Sequence, residues 1–225
     1  MITASTRLVA LLGHPVEHSL SPRMHNAAFA ALALDWAYVA LDVPPERLEE
    51  AVRGLAAAGF AGANVTAPHK LAAAVLADAD APSVNTLFFR DGRIEGTSTD
   101  AAILDGLETT RPVVLGDGGA AQAFLRALPG ARTFARRGEW PPDVADADLV
   151  VNATAARDEV LVELEPGQTL VDLPYPGSAT AAAARETGAT VYDGLDVLVA
   201  QGAASLELWT GLPAPVDVMR AAVHE

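Results

Sequence analysis

The chain has no cysteine. Disulfides, thiolate metal sites and cysteine nucleophiles are therefore excluded. Long apolar runs are missing too: the first, Leu8-Val9-Ala10-Leu11-Leu12, stops at Gly13. That is too short for a signal-peptide core or a membrane span, so a cytoplasmic protein without membrane attachment is expected. Positive charge is scarce, with 15 basic against 29 acidic side chains and a formal charge of −14. A field of that sign repels phosphate backbones and anionic lipid, so nucleic acid is not an expected partner. Any anionic ligand must be held by local donors working against it. What remains is globular: 51% hydrophobic and 20% charged residues over 225 positions, enough for one large domain or two small ones.

Strand-length apolar runs alternate with alanine- and leucine-rich stretches of helical period. Arg7 to Gly13 reads as a buried strand and Trp36 to Asp42 as a second. Between them Ser21-Pro22 opens a helix to about Leu34, with serine as N-cap and proline at the first helical position. Pro45 to Ala58 reads as a helix closed by Gly59, and Gly62 to Thr66 as a short strand before another helix start at Pro68. Asp91-Gly92, between Val84–Phe89 and Arg93–Glu95, is a hairpin signal. A helix is expected after Asp100, and the domain boundary between Asp100 and Thr110. A second series follows: a strand at Pro112–Leu115, a glycine-rich turn, a helix from Ala120 to Leu128, then strands near 132–135, 148–152, 169–172 and 190–192, with helices again from about Leu195. Such alternation argues for an α/β protein with a parallel sheet.

Four segments carry candidate chemistry. In Gly13-His14-Pro15-Val16-Glu17-His18-Ser19-Leu20-Ser21-Pro22 two serines flank a helix N-terminus, where N–H groups and the dipole favour an anion. Ser19 and Ser21 could hold a small carboxylate, although plain capping by Ser21 is the commoner use of this pattern. In Gly62-Ala63-Asn64-Val65-Thr66-Ala67-Pro68-His69-Lys70 a lysine falls in the first turn of a helix, the end where cations are rarely placed. Lys70 is thus an acid/base candidate; His69 is expected at the surface. Asp100, closing Gly96-Thr97-Ser98-Thr99-Asp100, is either a helix-start carboxylate or a partner for Lys70. Gly116-Asp117-Gly118-Gly119-Ala120, between a strand and a helix, has the context of a phosphate-binding dinucleotide turn. No acidic residue closes the next strand; Arg136 and Arg137 follow it, which suits the extra phosphate of NADP better than the ribose of NAD.

Taken in order, these segments resemble the signature of shikimate dehydrogenases. Gly13 to Asn26 is similar to the family opening G-x-P-x-x-H-S-x-S-P-x-x-H-N, and Gly62 to Lys70 to its G-x-N-V-T-x-P segment with the lysine. Val84-Asn85-Thr86, Gly96 to Asp100, the glycine turn, Val151 to Thr154, Asp172-Leu173-Pro174-Tyr175, Val199-Ala200-Gln201 and Trp209-Thr210-Gly211 follow the family order. The resemblance implies a two-lobed α/β architecture. A substrate-binding domain would span 1–104 with helices from 195–225, and a reduced Rossmann-like NADP-binding domain 105–194. It implies interconversion of 3-dehydroshikimate and shikimate with NADPH/NADP+, Lys70 and Asp100 being catalytic. Ser19, Ser21, Asn64, Thr66, Asn85, Tyr175 and Gln201 would bind substrate. Gly116, Gly118, Gly119, Ala120, Arg136, Arg137, Asn152, Thr154 and Gly194 would line the cofactor, with no metal required and a monomer or homodimer expected.

The chain also departs from the pattern. Ser98 stands where the family has asparagine, Asp117 sits inside the glycine turn, Ala135 replaces the asparagine of N-R-T, and the usual glycine after Thr154 is missing. The stretches 70–85 and 137–148 are short. Two other readings follow: a shikimate-binding protein with a degenerate cofactor lobe, and an NAD-dependent quinate/shikimate dehydrogenase.

Overall fold

The computed structural model describes residues 2–224. The chain divides into two compact units, one built from the sequence up to Thr99 together with the segment from Val199, the other from Asp100–Leu198.

The first unit holds a five-stranded sheet made of β1 (Arg7–Gly13), β2 (Trp36–Asp42), β3 (Gly62–Val65), β4 (Thr86–Arg90) and β5 (Arg93–Thr97), in the order β2-β1-β3-β4-β5. β1 pairs in parallel with β2 and β3, whereas β3–β4 and β4–β5 are antiparallel, so this sheet is mixed. The hairpin is built at Asp91 (φ 50) and Gly92 (φ 75), the two positive-φ positions that an Asp-Gly turn supplies. Period-2 alternation splits β1 between two cores. Ala10 and Leu12 pack with Leu48, Val52 and Leu55 of α2 (Leu48–Ala57) and with Ala73 of α3 (Lys70–Leu76). On the other side lie α1 (Ser21–Ala31), α7 (Val216–His224), which packs on α1, and most of α6 (Gly194–Thr210).

The second unit is wholly parallel, in the order β10-β9-β8-β6-β7, from β6 (Pro112–Leu115), β7 (Arg132–Phe134), β8 (Leu149–Asn152), β9 (Thr169–Asp172) and β10 (Thr190–Tyr192). Its strands run to three or four residues, and two of the inner ones, β6 and β8, are apolar up to Asn152, as a sheet covered on both faces requires. Val114 and Val151 pack against Phe124 of α4 (Gly119–Ala127) and Val197 at the start of α6. The opposite face carries α5 (Ala179–Thr187) and two irregular stretches. Between β7 and β8, where a parallel crossover normally holds a helix, there is none: Val144 and Ala147 fill the core from a loop. Asp148 straps that loop down, accepting hydrogen bonds from the Thr109 hydroxyl, from Thr110 Oγ1 (2.7 Å) and N–H (2.8 Å), and from Arg111 N–H (3.1 Å). Partial burial pushes its pKa up, but these donors outweigh burial and hold it well below the usual carboxylate range.

Several expectations are corrected. The N-cap of α1 is Leu20, not Ser21, and the helix stops at Ala31 rather than Leu34. The Pro45 helix begins as a 3-10 turn (Pro45–Arg47). The helix expected after Asp100 is a single 3-10 stretch, Asp100–Leu104. His69 is not on the surface. It is 2% exposed, and its Nε2 lies 2.7 Å from the carbonyl of Val43, so the residue before Lys70 anchors the helix start to a neighbouring loop.

Candidate active site

In the first unit, β1 and β3 run side by side and end together at Gly13 and Val65, so the segments that follow them leave from one rim of the sheet, with His14 N–H still donating to Ala67 O at 3.2 Å. Gly13 leaves little room there: a Cβ would lie 2.5 Å from Thr66 Cγ2, so one of the two would have to shift. Ser19 accepts a hydrogen bond from the N–H of Ser21 at 3.3 Å, while Ser21, 5% exposed, is the first residue of α1. Ser19 thus does the work expected of Ser21. Thr66 is half-buried, its N–H donating to Leu12 O at 2.9 Å and its carbonyl accepting from His69 N–H at 2.9 Å. Lys70 opens α3, half-buried, with its carbonyl fixed by the N–H of Val84 at 3.0 Å.

Behind this rim lies a buried polar cluster. Asn64 Oδ1 accepts the Tyr38 hydroxyl at 2.8 Å. Its Nδ2 faces Asn85 O (3.0 Å), Thr86 Oγ1 (3.1 Å) and Ser205 Oγ (3.0 Å). Asn85 Nδ2 donates to Gln201 Oε1 at 3.2 Å and to Thr99 Oγ1 at 3.0 Å, while its Oδ1 accepts the Thr99 N–H at 2.7 Å. Three of the expected substrate residues, Asn64, Asn85 and Gln201, are therefore joined in one network. Beside it His25 stacks on Tyr38 (ring centroids 4.4 Å apart, planes at 5°), fully buried and with neither ring nitrogen hydrogen-bonded. Burial lowers its pKa to about 3, so the ring is neutral at physiological pH.

In the second unit the glycine turn runs from β6 into α4. Gly116 has φ +116 and its Cβ position lies 3.1 Å from Ala153 O, so only glycine fits; beside Gly118 the space is open. No side chain caps α4, and Gly118, Gly119 and Ala120 present its first turn with Asp117 exposed just before it. This fits a pyrophosphate: a close backbone approach followed by uncapped N–H groups at the positive end of a helix. Thr154 folds back on Asn152, its N–H and hydroxyl donating to Oδ1 at 3.1 and 2.7 Å. Asn152 Nδ2 in turn donates to Asp172 Oδ1 at 2.7 Å, and burial raises the pKa of that carboxyl. Gly194 begins α6 where a Cβ would meet the carbonyls of Pro174 (2.5 Å) and Leu173 (2.6 Å). Tyr175 is half-buried in the loop after β9, and Asp100 is buried at the head of its 3-10 turn.

Arg136 and Arg137 are both exposed beyond β7. Arg136 sits over the Trp140 ring at 5.4 Å and is ion-paired with Glu159. Sequence reading missed Glu159, and also Tyr38, Thr99 and Ser205. Only Ser205 leaves a sequence signal, being four residues, or one helical turn, beyond Gln201.

A mixed-sheet unit with a buried polar cluster and a parallel unit with a dinucleotide turn define a nucleotide-dependent oxidoreductase of the two-unit α/β class. The comparisons specify it further. Residues 11–87 match the model of the shikimate dehydrogenase substrate-binding domain, and residues 194–224 that of the shikimate 5'-dehydrogenase C-terminal domain. The chain is 42% identical to the NADP+-dependent shikimate dehydrogenase of Methanopyrus kandleri, over 100% of this chain and 97% of the relative. Among solved structures, the shikimate dehydrogenase of Aquifex aeolicus superposes with a TM-score of 0.90 at 30% identity, covering 100% of both chains. The Thermus thermophilus enzyme in complex with NADP(H) and shikimate gives 0.84 at 31% identity, covering 97% of this chain and 98% of the other. The chain belongs to the shikimate dehydrogenase family.

Proposed function

We infer that this chain is an NADP-dependent shikimate dehydrogenase, interconverting 3-dehydroshikimate and shikimate. The observation that carries the reading is the convergence of Asn64, Asn85 and Gln201 in one buried network at the strand ends of a family substrate domain. A pocket floor of amides suits a ring bearing several hydroxyls, because a buried hydroxyl must find a partner or cost about 1–3 kcal/mol. Ser19 and Ser21, at the start of α1, are suited to the substrate carboxylate. Thr66 and Tyr175 complete the substrate set.

Gly116, Gly118, Gly119 and Ala120 would hold NADPH, with Asn152, Thr154 and Gly194 lining its nicotinamide end, and the bound cofactor would supply the hydride for the substrate carbonyl carbon. The chain's own residues handle the proton. Lys70, as ammonium, gives its proton to the carbonyl oxygen as the alcohol forms, and regains one from solvent. In the oxidation direction Lys70 as amine takes the hydroxyl proton as the hydride leaves. Asp100 supplies the negative charge that supports the ammonium. Arg136 and Arg137 answer the additional phosphate that distinguishes NADP from NAD.

The catalytic-enzyme reading is favoured over a binding protein, since family relatives covering the whole chain carry the NADP+-dependent enzyme name. The test is shikimate-dependent reduction of NADP+ followed by absorbance, with NAD+ in parallel. Turnover with NADP+ and weaker turnover with NAD+ are expected. Binding of shikimate without reduction of either nucleotide would restore the binding-protein reading, and better turnover with NAD+ would remove the arginine assignment.

A further inference from the structure

We propose that Ser205, on α6, is a positioning residue for substrate binding: its hydroxyl holds the Gln201 turn of the helix against Asn64 and so sets the pocket floor. The inference rests on the reading of Asn64 and Gln201 as substrate contacts. Ser205 is fully buried, and its Oγ has four polar neighbours at hydrogen-bond distance: Gln201 O (2.9 Å), Asn64 Nδ2 (3.0 Å), Thr86 Oγ1 (2.9 Å) and Thr99 Oγ1 (3.0 Å). A serine hydroxyl has one proton and two lone pairs. The proton goes to the Gln201 carbonyl, which can only accept. One lone pair then receives an Asn64 N–H, and the other a threonine hydroxyl.

The consequence for Asn64 is orientation. Its oxygen is fixed by the Tyr38 hydroxyl and its two amide protons are drawn toward three acceptors, so the amide is locked one way round. The consequence for Gln201 is similar. Its carbonyl oxygen accepts from Asn85, which puts its NH2 on the opposite side, while Ser205 pins the backbone of the same residue one turn along the helix. A serine that merely filled space would need no such set of partners. A serine within a helix can bond back to the i−4 carbonyl; this one adds three contacts to strands and loops of its own unit.

The test compares Ser205→Ala and Ser205→Cys with the unaltered chain. Cysteine fills the volume but bonds weakly. Both variants are expected to raise KM and Kd for shikimate about tenfold, which corresponds to ~1.4 kcal/mol. The kcat should change less than about threefold, and KM for NADP+ should not move. If the alanine variant fails to fold, the cysteine variant decides alone. Shikimate constants within twofold of the parent in a folded variant would overturn the proposal. So would a cysteine variant that behaves like serine, or a common shift of kcat and both KM values. The parent enzyme separates the two inferences: if it does not reduce NADP+ with shikimate, the functional reading fails whatever the variants do.

Discussion

The two units solve the problem of a small core differently. The substrate unit concentrates polarity inside: amides, hydroxyls and a neutral histidine are buried in one cluster and satisfied mostly by one another. The nucleotide unit keeps its inner strands β6 and β8 apolar up to Asn152 and carries its glycine turn at a strand end, with helices missing from places where a parallel fold usually has them. The alignment to the Methanopyrus kandleri relative spans 281 positions, whereas this chain has 225 residues, so 56 positions of that alignment have no counterpart here. A pocket floor built from mutually dependent groups tolerates little change. A parallel sheet can lose peripheral elements, provided a device such as Asp148 ties the shortened loop down.

The sharpest way to test that contrast is chemical. Lys70→Ala should lower kcat by roughly 10²- to 10⁴-fold, the range for losing a general acid/base group, with a much smaller change in shikimate affinity. A variant with near-normal kcat would leave the substrate unit without its assigned proton carrier.

Acid should separate the units next. The folded substrate unit keeps His25 neutral down to about pH 3, whereas in the unfolded chain it protonates near 6.5. Below pH 6.5 protons therefore favour unfolding, by up to about 1.4 kcal/mol per pH unit from this one group. The Asp148 carboxylate works in the opposite unit and lower down: its depressed pKa stabilises the fold above the unfolded value of 3.8 and that contribution fades as pH falls below it. Hydrogen exchange between pH 6.5 and 4.5 should thus show protection falling in the substrate unit first, and His25→Phe should reduce that loss. Equal loss in both units over this window would contradict the assignment.

The nucleotide unit should yield smaller effects, confined to nucleotide affinity. Asp117→Ala removes a carboxylate beside the expected pyrophosphate. Two unit charges ~4 Å apart repel by about 1 kcal/mol in water and about 4 at a partly shielded surface, so NADPH should bind several-fold tighter, with shikimate binding unchanged. Unchanged or weaker NADPH binding would show that Asp117 turns away from the ligand. Smallest is Glu159→Gln. The Arg136–Glu159 pair is exposed on both sides, and such pairs contribute about 0–1 kcal/mol. Freeing Arg136 should tighten NADP+ about two- to fivefold by titration and leave NAD+ unaffected. Parallel changes for both nucleotides would mean that Arg136 does not discriminate between them.

Much of the frame was legible in the residues. The strands at Arg7–Gly13 and Trp36–Asp42 and the Asp91-Gly92 hairpin carry local signals strong enough to survive tertiary context. What escaped was decided by distant partners. His69 is polar and flanks a proline, so it reads as surface; its burial depends on the carbonyl of Val43, 26 residues away. Ser21 has the side chain of an N-cap, yet Leu20 takes that position and Ser19 supplies the oxygen. Helix α5, Ala179–Thr187, is so rich in alanine that its apolar face has little contrast, and it was not anticipated. The hub at Ser205 was invisible for the same reason as His69: its partners come from strands far away in sequence.

That distance bears on how the molecule is made. Asn64 and Ser205 are 141 residues apart, and the Trp209 indole N–H donates to Leu87 O across 122. The nucleotide unit is continuous in sequence, the substrate unit is not. During synthesis the continuous unit can close its sheet while Asn64, Asn85 and Thr86 still await their serine, and long-range closures of this kind slow folding. The substrate unit, begun first, needs α6 before its buried polar network can close.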